Sequence, residues 1–135
     1  MEYCQLMKYA EEAKEKSYSP YSRFRVGAAL LCKNGKVFTG CNIENASYGL
    51  TNCAERTAIY KAISEGITEF EAIAVSGDGE DLLSPCGACR QVLCEFGREI
   101  VVIMSDGSKN LLIKKAEELL PYSFGPEDLE EVNKK

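Results

Sequence analysis

Two short stretches hold the residues whose types and spacing could do chemistry. "NCAERTAIY", residues 52–60, places Cys53 two positions before Glu55 and three before Arg56. "SPCGACRQ", residues 84–91, places Cys86 and Cys89 in a C-x-x-C spacing directly after Pro85. Both stretches read as helix starts. A helix N-terminus carries partial positive charge and free N–H groups, so it favours a thiolate, the form of cysteine that binds metal. The chain contains no histidine, so a fourth protein ligand would have to be another cysteine or a carboxylate. Structural zinc sites close with four protein ligands, whereas catalytic ones keep three and an open position. Three cysteines here fit the catalytic pattern.

Residues i and i+2 of a regular helix do not share a face. Cys53 and Glu55 therefore converge only on something beyond the helix end, such as a metal-bound water. A carboxylate placed there takes a proton from that water and returns it elsewhere, which is general acid–base catalysis. Arg56 lies at i+3 from Cys53, within reach of the sulfur. Three thiolates on Zn2+ sum to −1, and a guanidinium beside one of them keeps the metal electrophilic. Taken singly, Glu55 is also an acid that complements the helix dipole, and Arg56 a surface arginine.

A lone C-x-x-C is a weak signal, equally compatible with a thioredoxin-type dithiol or part of a zinc knuckle. A binding protein without activity is a further alternative. The complete pattern is more specific: C-A-E followed by P-C-x-x-C is that of the zinc deaminases in their three-cysteine form. In those enzymes zinc activates water or hydroxide for attack on a carbon bearing an exocyclic amine, with the glutamate as acid and base.

The elements that must position these residues follow from periodicity. Tyr3, Leu6, Met7, Ala10 and Ala13 form one stripe of a helix over residues 3–13. Two apolar runs around Asn34-Gly35 predict a hairpin. Ala58, Ile59, Ala62 and Ile63 repeat at helical spacing from Cys53 to about Ser64, and Gly66 suits the C-terminal cap. "EAIAVSG" and "EIVVIMS" read as buried strands, "GACRQVLCEF" as a helix, and "KNLLIKKAEELLP" as a strand running into a helix. The order is α-β-β-α-β-α-β-β-α. Strands separated by helices predict a largely parallel sheet with an antiparallel hairpin added. The expected fold is α/β, a three-layer α/β/α sandwich with a five-stranded mixed sheet, in one domain spanning residues 1–135. The acidic tail from about residue 126 is expected to be ordered only near its start. Cys4, Cys32, Cys41 and Cys94 read as buried core residues.

Bulk properties exclude several classes. At 45% hydrophobic and 27% charged residues, the 135-residue chain is globular rather than disordered. Its net charge of −5 and lack of a basic stripe argue against a nucleic-acid polymer as partner. No apolar run reaches membrane-spanning length, and the N-terminus lacks a signal-peptide core, so no membrane partner and a cytoplasmic location are expected. Seven cysteines, an odd number, do not pair fully within one chain.

Nearly end to end, the chain resembles the small, homotetrameric cytidine deaminases. The resemblance rests on "SPYSRFRVGAAL", "GCNIENASYGLTNCAERTAI", "SPCGACRQVL" and "ELLPYSF". It implies hydrolytic deamination of cytidine and 2'-deoxycytidine, as in pyrimidine salvage, with one Zn2+ per chain on Cys53, Cys86 and Cys89. It implies that Glu55 shuttles protons between the zinc water, the pyrimidine N3 and the departing ammonia. Asn42 and Glu44 resemble the pair that hydrogen-bonds the ribose hydroxyls, and Phe24 the aromatic wall of the base pocket. Ala54 and the backbone around Ser84 and Pro85 would meet the polar edge of the base. Tyr48 and Phe124 would reach into a pocket shared between subunits of a homotetramer. Phe24 and Phe124 also read as core aromatics, and Asn42 and Glu44 as turn residues.

Overall fold

Leu6, Met7, Ala10 and Ala13, the stripe expected to face inward, are all buried in the computed structural model of the chain, which describes residues 1–133. They belong to helix α1, Tyr3–Lys14. Its apolar face packs on Ala29, Leu31, Ala72, Ala74 and Ile103. Ala28, Leu30 and Cys32 point the other way, into a second core. The alternation is the period-2 rule for a strand buried on both faces.

That strand is β1, Val26–Cys32, joined by the expected hairpin to β2, Val37–Cys41. The turn closes with Gly35 N–H on Cys32 O and Cys32 N–H on Lys36 O, each at 2.9 Å. Gly35 has φ +92°, the left-handed conformation that glycine adopts without steric cost. Helix α2, Ala54–Ser64, begins directly after Cys53. It ends in a Schellman motif: Gly66 at φ +87° donates to Ile63 O at 2.9 Å, and Ile67 donates to Ala62 O at 3.0 Å. Strand β3, Phe70–Gly77, helix α3, Gly87–Phe96, strand β4, Val101–Ser105, strand β5, Leu111–Lys115, and helix α4, Ala116–Leu119, follow in the expected order.

The sheet order is β2-β1-β3-β4-β5. The expectation of a largely parallel sheet needs correction: β3 and β4 pair in parallel, while the other three pairings are antiparallel. The crossover rule itself holds. Strands joined through a helix run parallel, β2 to β3 and β3 to β4. But β1 lies between β2 and β3 and is antiparallel to both, so the first crossover leaves no adjacent parallel pair. Helices α2 and α3 cover the face opposite α1, around Leu30, Ile73, Val102 and Met104. The result is a three-layer α/β/α sandwich with a mixed five-stranded sheet.

Two further differences have local causes. A short helix, α5, covers Pro126–Asn133, where the sequence reading assigned no element. Pro126 suits the first helical position, and the Asp128 carboxylate accepts from Gly125 N–H at 2.8 Å, an N-terminal cap written in residues that composition reads as a solvated acidic tail. The end of that tail, residues 134–135, lies outside the described residues. Cys32 and Cys94 are buried as expected, but Cys4 is exposed and Cys41 half-buried. Cys4 sits off the apolar stripe of α1. Cys41, on the outermost strand, donates through Sγ to Lys16 O at 3.4 Å.

Candidate active site

Cys53 is the N-cap of α2, and Cys86 is the N-cap of α3. Cys89 is the third residue of α3, one helical turn further. Neither cap cysteine makes a side-chain capping bond to its own helix, so both sulfurs are free to face each other. The Sγ atoms of Cys53 and Cys86 are 3.6 Å apart, and those of Cys86 and Cys89 3.5 Å apart. All three lie within 4.8 Å of one another. Two helix N-termini thus converge on one sulfur cluster, and their dipoles favour negative charge there.

The charges around the cluster are arranged in sequence with it. Hydrogen bonding from the Cys89 thiol and the Arg56 guanidinium holds the Cys53 thiol well below its ordinary range, against the opposing effect of burial. Arg56 Nη2 donates to Cys53 Sγ at 3.3 Å. The Cys89 thiol moves the opposite way, through its bond to Cys53 and through burial. The Arg56 contact thus favours the thiolate form at Cys53, the sulfur it touches. Glu55 is 4% exposed. Burial pushes its carboxyl upward, and the neighbouring Cys53 charge adds to the push. A carboxyl raised in this way holds a proton more readily than an exposed one, as a group that both accepts and releases protons must.

The donor set fits zinc. Bonds of about 2.3 Å at tetrahedral angles place sulfurs about 3.8 Å apart, close to the spacing found here. A four-coordinate zinc held by the three sulfurs would keep one ligand position free, and Cys53 and Cys86 border a cavity of about 240 Å³. Zinc held there supplies Lewis acidity and lowers the pKa of a water in the open position.

The cavity gathers most of the other residues singled out in the sequence. Phe24, Asn42, Ala54 and Glu55 line it with Cys53 and Cys86, and Ser84 completes one wall. The Phe24 ring lies over Gly77 and Gly79: a Cβ on Gly77 would come within 3.1 Å of it, and one on Gly79 within 3.3 Å. Glu44 and Tyr48 border a second cavity of about 410 Å³, and Thr51 lines both. Tyr48 is 75% exposed and meets Tyr21 edge-on at 6.0 Å. Phe124 lies outside both cavities of its own chain, 58% exposed, with its carbonyl held by Gln91 Nε2 at 2.8 Å.

Asn42 and Glu44 also organise the segment leading into β1. Asn42 Oδ1 accepts from Val26 N–H at 2.9 Å and from the Ser17 hydroxyl, while its Nδ2 donates to Phe24 O at 2.8 Å. Glu44 accepts from Tyr21 and Ser22 N–H at 3.0 and 3.1 Å and from the Ser22 hydroxyl, which holds its carboxyl below the ordinary range. Sequence reasoning did not single out Thr51, Asn52 or Leu83 on the cavity wall. It also passed over the clamp on Arg25, the residue after Phe24. Asp78 accepts from Arg25 N–H and Nε at 2.9 Å each and from Nη2 at 3.1 Å. A charged pair 53 residues apart leaves no local pattern.

Three convergent thiols at paired helix N-termini, with a buried carboxylate beside them and a pocket in front, define a metal-dependent hydrolase of the deaminase type. Residues 1–105 match the family described as cytidine and deoxycytidylate deaminase zinc-binding region, and the chain belongs to that family. It is 52% identical to a cytidine deaminase of Halalkalibacterium halodurans over 92% of this chain and 95% of that protein. A cytidine deaminase of Sporosarcina psychrophila is 47% identical over 92% of each chain. The crystal structure of cytidine deaminase from Burkholderia pseudomallei superposes with a TM-score of 0.89, at 49% identity, over 92% of this chain and all of that one.

Proposed function

We infer that this chain catalyses the zinc-dependent hydrolytic deamination of cytidine and 2'-deoxycytidine, consuming one water and releasing ammonia, uridine and 2'-deoxyuridine. The observation that carries this reading is the position of Glu55. It is buried beside three convergent thiols and lines the same cavity as Cys53 and Cys86. There it takes a proton from the attacking water, delivers it to the pyrimidine N3, and assists departure of the amine. Phe24 stacks on the base, and Ala54 with the Ser84–Pro85 backbone meets its polar edge.

The sugar extends toward Glu44. A carboxylate offers about four acceptor sites, and the three protein donors at Glu44 leave room for a ribose hydroxyl. Asn42 has one Nδ2 hydrogen beyond the one held by Phe24 O, and donates it to the sugar. An analogue without the hydroxyl loses these added bonds, which weakens its binding.

The chain acts as one domain within a homotetramer whose active sites are shared between subunits. Tyr48, Leu50, Tyr122 and Phe124 support this, since each is more than half exposed. No helix among the described residues is long and apolar enough to cross a membrane. The free thiols suit a reducing cytoplasm and a role in pyrimidine salvage. Ammonia release from cytidine, deoxycytidine, cytosine and guanine, measured with zinc content, tests the reading. Turnover of both nucleosides with about one zinc per chain is expected; no turnover of either refutes it. Light scattering on the same preparation is expected to give four chains per particle.

A further inference from the structure

Arg90 follows Cys89 directly, and its sequence context reads as an ordinary helical arginine. Each nitrogen of its guanidinium donates a hydrogen bond. Nε donates to Pro85 O at 2.8 Å, Nη2 to the Ser84 hydroxyl at 2.6 Å, and Nη1 to Leu119 O at 2.7 Å. All three acceptors are neutral oxygens, and among the described residues no carboxylate pairs with Arg90. Ser84 lines the cavity and Pro85 is buried behind it. A planar fork thus grips both residues of the turn that leads into Cys86, and anchors that turn to the end of α4.

The same helix holds the chain beyond α4. Gln91 Nε2 donates to Phe124 O at 2.8 Å, and Arg98, just past α3, donates to Ser123 O at 2.9 Å. Three carbonyls of the 119–124 segment are therefore satisfied by donors on or next to the helix that carries two of the thiols. The cavity wall and the C-terminal segment share one support, and Arg90 is the residue that touches both.

We propose that Arg90 is a positioning residue for deamination: it fixes the Ser84–Pro85 turn in the geometry that receives the edge of the base. The proposal rests on the deaminase reading above. Base contact through this turn is made in the bound substrate and in the transition state alike, so its loss raises KM more than it lowers kcat. Lysine keeps the charge but lacks the planar fork, and does not replace arginine where several directed bonds are required.

The test compares wild type, Arg90→Gln, Arg90→Lys and Ser84→Ala as zinc-loaded proteins, with kcat and KM for cytidine, zinc per chain and thermal midpoint measured for each. Arg90→Gln is expected to raise KM roughly 10- to 100-fold, the range carried by a hydrogen bond to a charged group. It should hold kcat within a few-fold and keep about one zinc per chain. Arg90→Lys is expected to show most of the same KM rise. Ser84→Ala is expected to show part of it, and the losses in a Ser84→Ala/Arg90→Lys double variant should be less than additive. The last comparison stands even if Arg90→Gln does not fold. Full recovery by lysine makes the effect one of charge and overturns the proposal. So does a fall in kcat at unchanged KM, a loss explained by missing zinc, or additive losses in the double variant. A wild-type protein without turnover removes the deaminase reading itself, and the proposal with it.

Discussion

Arg56 reaches back one helical turn to the sulfur of Cys53, with Nη2 3.3 Å from Sγ, and its Nε is buried without a protein partner. The guanidinium is thus committed to the thiol rather than to a carboxylate. Its own pKa is raised by that contact, so it stays charged at every accessible pH. Arg56→Gln leaves the three-thiolate charge uncompensated. The expected outcome is a fall in kcat/KM of roughly 10- to 100-fold, the range carried by a hydrogen bond between charged groups, with a smaller effect on folding. Steady-state kinetics beside a thermal melt separates the two; wild-type turnover with full zinc retention refutes the charge-balance argument.

Glu55→Gln keeps the shape of the buried side chain and removes its ability to exchange a proton. Turnover is expected to fall by at least about 10²–10⁴-fold, the scale of general acid–base catalysis, while zinc stays bound. Ammonia release and metal analysis on the same sample check both halves. Near-normal activity shows that another group carries the proton.

Gly40 lets β2 lie directly against α2. A Cβ there would fall 2.5 Å from Ala54 O and 2.6 Å from Ala58 N, both backbone atoms that do not rotate aside. Gly40→Ala therefore shifts the first turn of α2, which carries Glu55 and is capped by Cys53. Overpacking of this kind costs about 1–3 kcal/mol. Urea melts should show that loss, and activity should drop as well. Unchanged stability means that the strand and helix separate freely.

Asp78 predicts a pH dependence of stability. Hydrogen bonds and charge from Arg25 lower its folded-state pKa to about 2, below the unfolded value of about 3.9. A depressed carboxylate contributes stability that is fully present above the unfolded pKa and is lost as pH falls through the folded one. The stability gap between wild type and Asp78→Asn should stay constant above about pH 5, then shrink between about pH 4 and pH 2. Denaturant titrations across that range measure it. A gap that persists at pH 2 assigns the effect to packing.

The site was more legible than the sheet. Cys53, Glu55, Cys86 and Cys89 carry their chemistry in residue type and short spacing, and helix starts are written locally by capping and periodicity. The stripe Leu6, Met7, Ala10 and Ala13 was equally plain. The pairing of β1 between β2 and β3 was not, because an apolar strand buried on both faces shows neither its neighbours nor their direction. Asn42 illustrates the same limit at the site. Its partners Ser17, Phe24 and Val26 come from a segment 16–25 residues earlier, and no local signal ties them to it. The bond from Arg90 to Leu119 O and the pairing of Asp78 with Arg25 likewise join residues distant in the chain. Helix α5 was missed for a different reason: acidic residues that solvate a tail also begin a helix well.

The sheet order has a kinetic consequence. Cys53 follows β2 and Cys86 follows β3, and these strands are placed in one sheet only through β1, which pairs with both. Cys86 and Cys89 are local neighbours, but the third sulfur arrives with long-range strand pairing, the slow class of folding event. A newly made chain therefore cannot complete the metal centre until its sheet is nearly assembled. Zinc capture by all three sulfurs becomes a late step that reports a finished fold, and refolding followed by metal uptake should lag refolding followed by helix content.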